Sequence, residues 1–254
     1  MARIEKPPLR TAPKGEVATE SESKALGRLE AFSDGVFAIA ITLLVLEIQI
    51  PRSFTSGQLM SIVDGQWSSF IAYLVSFLTI LVMWLNHHNI VQFIRRADRL
   101  FFVLNGLLLM MITFLNYPTA LAAEATHSGF ANLSAVAQMD QRFAAQVYTG
   151  TMVIIAALYN ALWFSAIARR RLVHPKYDQT TIRIVTIQYS FGVPLYIVAF
   201  LLALIPPVGG LDIGPFVSLL LTGALAVYFA FTGHIGEAPT RVFPPFDGFR
   251  GGRS

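Results

Sequence analysis

The chain contains no cysteine, which removes disulfides, thiol nucleophiles and thiolate metal sites together. Charge is scarce as well. Asp, Glu, Lys and Arg make up 13% of the 254 residues, against about a quarter in soluble domains. No nucleophile motif, phosphate-binding glycine loop or spaced set of metal ligands occurs, so an enzyme is not expected and no cofactor is implied. The first thirty residues, MARIEKPPLRTAPKGEVATESESKALGRLE, lack the apolar core of a signal peptide. Their Pro, Ser, Glu and Lys content reads as a disordered tail, expected over 1–27. What abounds is apolar: 54% of residues are hydrophobic and the mean hydropathy is +0.57. These proportions define an all-α membrane protein.

Crossing a bilayer as a helix takes about 20 apolar residues, and six segments qualify. They lie at roughly 31–50, 66–93, 99–123, 143–168, 183–205 and 214–235 on this criterion. The stretch 28–235 is expected to form one six-helix domain, followed by a Pro-, Gly- and Phe-rich tail at 236–254 that reads as disordered. Basic residues orient the spans. Seventeen of the nineteen Lys and Arg fall in the two tails and in the loops after the second and fourth spans; the opposite side holds only Arg52 and Arg142. By the positive-inside rule both termini are cytoplasmic. The pI of about 9.5 thus reports topology, and no nucleic-acid partner is expected.

The first span begins RLEAFSDGVFAIAITLLVLEIQI, Arg28 to Ile50. At about 100° per residue, Phe32, Ile39, Leu43, Leu46 and Ile50 fall on one stripe. Gly35 and Thr42 lie along one flank, with Ala38 and Val45 beyond, and Glu47 lies on the other. Asp34 points about 140° from Ile39. Such a bulky line is either a lipid-facing surface or the wall of a narrow pore, where rings of aliphatic side chains gate by dewetting. The stripe by itself does not separate the two.

The second span runs the other way and ends MWLNHHNIVQFIRR, which puts Trp84, Asn86, His87 and His88 at the depth of Ser33 and Asp34. Asn105, Asn160 and Gln188 also fall in that inner half. A buried carboxylate needs partners, so Arg28, Ser33, Asp34, Asn86, His87 and His88 are expected to form a polar network joining spans one and two. Neighbouring histidines diverge by about 100° on a helix, unlike an i, i+4 ligand pair, so no metal site is expected. A proton-relay role for His87 or His88 is a second reading, since histidine titrates near neutrality.

At these residues the chain resembles the prokaryotic relatives of the lysosomal potassium channel transmembrane protein 175. The signature is an arginine ahead of Phe-Ser-Asp: Arg28-Leu29-Glu30-Ala31-Phe32-Ser33-Asp34, then GVFAIAITLLVLEI, with WLNHHN closing span two. The likeness covers roughly residues 25–235 and implies a homotetramer of six-helix subunits around a pore lined by the first helix. It also implies a constriction at Ile39, Leu43 and Leu46, with Thr42 as the layer linked to preference for potassium. Arg28, Ser33 and Asp34, with His87, would be the cluster supporting that helix. No TVGYG loop is present to coordinate a bare ion with carbonyls, so the expectation is a potassium-permeable, weakly selective cation channel of the bacterial plasma membrane. Proton passage and the role of Glu47 stay open. The competing reading is a secondary transporter of a small ion or solute, kept open by Pro194 in span five. Nothing like FSDG recurs in the second half, so no internal repeat supports it.

Overall fold

The computed structural model describes residues 14–48, 55–126, 134–169, 172–207 and 212–232. Among these the architecture is all-helical, and the only strand-like feature is an isolated bridge between Ile94 and Val173. Helix α1, Lys14–Leu43, passes directly into a 3-10 turn, Leu44–Glu47. A short α2 (Leu59–Gly65) precedes α3 (Trp67–Phe93), α4 (Arg99–Phe114) and α5 (Asn116–Thr126). The second half comprises α6 (Ala135–Ala168), α7 (Gln179–Leu202) and α8 (Gly214–Thr232).

Side-chain oxygens set several helix starts by accepting from amides that the helix leaves unpaired. Asp98 accepts from Phe101 N at 2.9 Å, Ser134 from Ala137 N at 3.2 Å and Asp178 from Thr181 N at 2.9 Å. Asp178 lies in the loop before α7, where the hydroxyl and amide of Thr181 hold its carboxyl below the ordinary value. Between α4 and α5 the helix is interrupted at Leu115, three residues before Pro118, whose missing N–H is tolerated in the first turn of a new helix.

Five segments are long and apolar enough to cross a membrane: 22–46, 67–93, 99–126, 135–168 and 179–202. The expected sixth, α8, has 19 residues, about 28 Å at 1.5 Å per residue. The chain is therefore a multi-span, all-helical membrane protein. Three boundaries differ from expectation. Residues 14–27, read as disordered tail, belong to α1: the prolines that suggested disorder end at Pro13, and the Glu, Ala, Lys and Leu that follow favour helix. Glu22 of this extension pairs with Arg96 at 3.0 Å, tying it to the α3–α4 loop. The first helix stops being α-helical at Leu43 rather than continuing to Ile50, and α6 begins eight residues early behind its Ser134 cap. Residues 1–13, Ile50, the tail 236–254 and the side chain of Glu47 lie outside the described residues.

Helix α6 is the hub, packed against α4, α5, α7 and α8, with Trp163, Met152 and Leu162 fully buried. Helix α1 lies at the edge, against α3 and α4. The two basic loops are clamped together: Arg95 N donates to Leu172 O at 2.7 Å and His174 N to Phe93 O at 2.9 Å. Arg169 pairs with Asp98, and Phe93 stacks on Tyr177 with ring centroids 4.1 Å apart. At the other end Arg142 donates through Nη2 (2.7 Å) and Nε (3.2 Å) to Asp212 Oδ2. That pairing neutralises an arginine in the half where the charge bias leaves few.

Candidate functional site

Helix α1 divides cleanly into two faces. Leu29, Ser33, Phe37, Ala40 and Leu44 are buried against α3 and α4, at spacings of four, four, three and four residues. That is one helical stripe. The opposite stripe points away from the rest of the chain: Phe32, Ile39, Leu43 and Leu46 are 62%, 57%, 42% and 64% exposed. Gly35, Ala38 and Thr42 share this outward face. Thr42 donates its hydroxyl proton to Ile39 O at 2.9 Å, so its oxygen lone pairs remain free to accept. Ile39, Thr42, Leu43 and Leu46 are thus on one surface, and none of them is needed by the subunit's own core.

Behind this face the buried stripe carries a directional chain of hydrogen bonds. Ser33 donates to Leu29 O at 2.9 Å and accepts from Asn105 Nδ2 at 3.0 Å. Because the Asn105 amide nitrogen is committed to Ser33, its Oδ1 is the acceptor toward His87 Nε2, 2.6 Å away. The network therefore assigns the proton of His87 to Nε2. One amide side chain on α4 links α1 to α3, with Phe37 packed against the His87 ring at a centroid distance of 5.4 Å. All three polar side chains are buried, Ser33 fully and the other two to 1% exposure. An unmatched polar group at such a place costs about 1–3 kcal/mol, so the Ser33–Asn105 and Asn105–His87 bonds specify how α1, α3 and α4 meet, while His87 Nδ1 is left without a partner.

Asp34 lies one residue on, half-buried, and accepts from Trp84 Nε1–H at 2.8 Å. Trp84 in turn stacks on His88, whose Nδ1 is 3.3 Å from Glu30 Oε1 and whose Nε2 accepts from Gln92 at 2.8 Å. The expected network is thus two adjoining sets, Ser33–Asn105–His87 and Asp34–Trp84–His88–Glu30. Sequence reasoning placed Asn105 and Trp84 at the right depth without assigning them partners. Two expected members stand apart. Arg28 is exposed and bonds to no described residue, because it sits one residue before the buried Leu29 and projects off the packed stripe. Asn86 faces the other side of α3: its amide donates to Val82 O and its main-chain oxygen accepts from Tyr189. A turn of about 100° separates it from His87. Among the described residues no three His, Asp or Glu side chains converge on a point that would hold a metal ion.

Trp84→Phe keeps an aromatic ring but removes the N–H together with the pyrrole part of the indole. The expected loss is about 1–2 kcal/mol of stability, reduced by partial exposure of Asp34. The shift in unfolding midpoint of the purified protein in detergent checks it.

A peripheral helix with one face bonded into its own chain and a second, aliphatic face left uncovered, within a set of long apolar helices, defines the class: a multi-span, all-helical membrane protein. The chain belongs to the TMEM175 family. The family profile described as endosomal/lysosomal potassium channel TMEM175 matches residues 28–115, from Arg28 to Leu115. A protein named as a potassium channel in Chamaesiphon minutus is 44% identical over 211 residues, 82% of this chain and 95% of that protein. Another so named in Streptomyces collinus is 39% identical over 209 residues, covering 81% and 91% respectively. The crystal structure of a lysosomal potassium-selective channel TMEM175 homolog from Chamaesiphon minutus superposes with a TM-score of 0.65 at 42% identity. That overlay covers 83% of this chain and 98% of the other.

Proposed function

We propose that this chain is a potassium-permeable, weakly selective cation channel rather than an enzyme or a coupled transporter. Four copies surround an axis in the bacterial plasma membrane, with both termini cytoplasmic. Each contributes the outward face of α1, so Ile39, Leu43 and Leu46 form the constriction and Thr42 the layer that favours potassium. The observation that carries this reading is the uncovered aliphatic stripe on α1, backed by a buried stripe that holds the same helix rigid. Family membership and relatives named as potassium channels support the permeant ion. Stacked rings of Ile and Leu exclude bulk water and act as a hydrophobic gate. The free lone pairs of four Thr42 hydroxyls are the uncharged oxygens within reach of a partly dehydrated cation. Four neutral acceptors with no carbonyl cage discriminate weakly, in keeping with modest selectivity.

Planar-bilayer recording of the purified chain under a potassium gradient tests the proposal. With sodium opposing potassium across the bilayer, passive current is expected to reverse between zero and the potassium potential, and Thr42→Ala is expected to bring the reversal potential toward the value for an unselective cation pore. Flux that saturates and requires a second solute would instead establish a transporter. Cysteines at positions 39, 43 and 46 should react with water-soluble thiol reagents, whereas reaction only with lipid-dissolved reagents would return this face to the bilayer.

A further inference from the structure

The side of α3 turned away from α1 lines a cleft between α3, α6, α7 and α8, of about 60 Å³ counted as the space open to a water centre. Its walls are mainly apolar, from Met152, Ile155 and Phe229 among others, and no charged side chain reaches it. The polar groups there are mostly committed. Tyr159 donates to Met83 O at 2.6 Å, Tyr189 to Asn86 O at 3.1 Å, and the Asn160 amide nitrogen to Ala156 O and Tyr189 O, both at 2.9 Å. Each of these protons points into main chain, leaving oxygen lone pairs unused.

One buried side-chain acceptor among them has no partner. Asn86 is more than nine-tenths buried, its nitrogen is spent on Val82 O, and its Oδ1 has no hydrogen-bond partner. The reverse amide orientation would set oxygen against the Val82 carbonyl, so the orphan is an acceptor. An orphaned buried acceptor costs about 1–3 kcal/mol, and beside a cleft it calls for a donor.

We propose that this cleft is a binding site for a small neutral molecule with an apolar body and one hydrogen-bond donor, in its simplest form a short alkanol, whose hydroxyl donates to Asn86 Oδ1. An ion does not fit, since a charge brought among these walls has no counter-charge. Size sets the limit. At roughly 15 Å³ per water-sized position the cleft takes about four heavy atoms. Gly192 on α7 keeps the space open: a Cβ there would lie 3.6 Å from Phe229 Cζ and 4.0 Å from Asn160 Nδ2, in ordinary contact, and would occupy part of the void. The site is separate from the α1 face and is read by binding alone, so it stands whether or not the pore assignment does.

The test is crystals of the full chain soaked in 2-bromoethanol, with bromine located by anomalous scattering. The expected result is a bromine peak inside the cleft with the alcohol oxygen beside Asn86. Asn86→Leu keeps the side-chain volume and spares the Tyr189 bond, which goes to main chain; occupancy should fall about tenfold, the loss of about 1.4 kcal/mol. Gly192→Ala should lower occupancy several-fold with Asn86 intact, and decides the matter if the leucine variant does not fold. No bromine in the wild-type cleft, an ordered water alone at Asn86 that the alcohol leaves in place, or full occupancy in either variant would each overturn the proposal.

Discussion

Bilayers carrying Leu43→Ala are expected to pass about ten times the wild-type potassium current, because lowering the conduction barrier by about 1.4 kcal/mol is worth a factor of ten. The estimate follows from what the truncation removes. In the proposed tetramer four leucines facing one axis would lose their isopropyl groups, widening the ring and letting water persist in it, so the dewetting barrier falls. Folding should tolerate the change, since Leu43 is 42% exposed within the subunit and fills no part of its core. Phe37, on the opposite face of the same helix and fully buried, supplies the contrast. Phe37→Ala is expected to cost about 3–5 kcal/mol and to be lost from the membrane fraction, not to conduct better. Single-channel recording and yield after purification read the two outcomes separately. Unchanged conductance in Leu43→Ala, together with unchanged conductance in Leu46→Ala, would remove the constriction from this helix.

Asn105→Leu, a near-isosteric change in the inner half of the bundle, is expected to cost about 1–3 kcal/mol. The substitution keeps the volume but removes the acceptor of His87 Nε2–H, leaving that buried group unpaired, while Ser33 loses one bond and keeps the other, to Leu29 O. Thermal unfolding in detergent should show a clearly lowered midpoint. A double-mutant cycle gives the sharper measurement. With His87→Leu present, no imidazole proton is left stranded, so Asn105→Leu should cost markedly less than it does alone. Additive costs would mean that the 2.6 Å contact couples nothing. Conductance of whatever assembles should differ little, because these side chains support α1 from behind and do not reach its outward face.

Much of this was legible in the chain alone. Apolar length predicted the spans, and α3 begins and ends within a residue of the expected limits because both ends carry sharp polarity changes. Helical periodicity separated Ile39, Leu43 and Leu46 from the side of α1 that carries Ser33, and the structure leaves them uncovered accordingly. Counting depth along antiparallel spans put Ser33, His87 and Asn105 at one level. Boundaries fared worse where capping outweighed hydropathy, as at Ser134, or where a polar sequence with high helix propensity simply continued a helix, as over 14–27.

The sequence by itself determined that the chain is helical, that it spans a membrane, and which face of its first helix is aliphatic, since each of these follows from local composition and a fixed period. Only the tertiary structure decided which polar side chains meet. Ser33 finds Asn105 across 72 positions, Asp34 finds Trp84 across 50, and Asn86 turns to another cleft entirely. Such pairings depend on how neighbouring helices are rotated and offset, and a contact requires agreement to within about an ångström. No period along a single strand of sequence carries that information; it arises when separate helices pack.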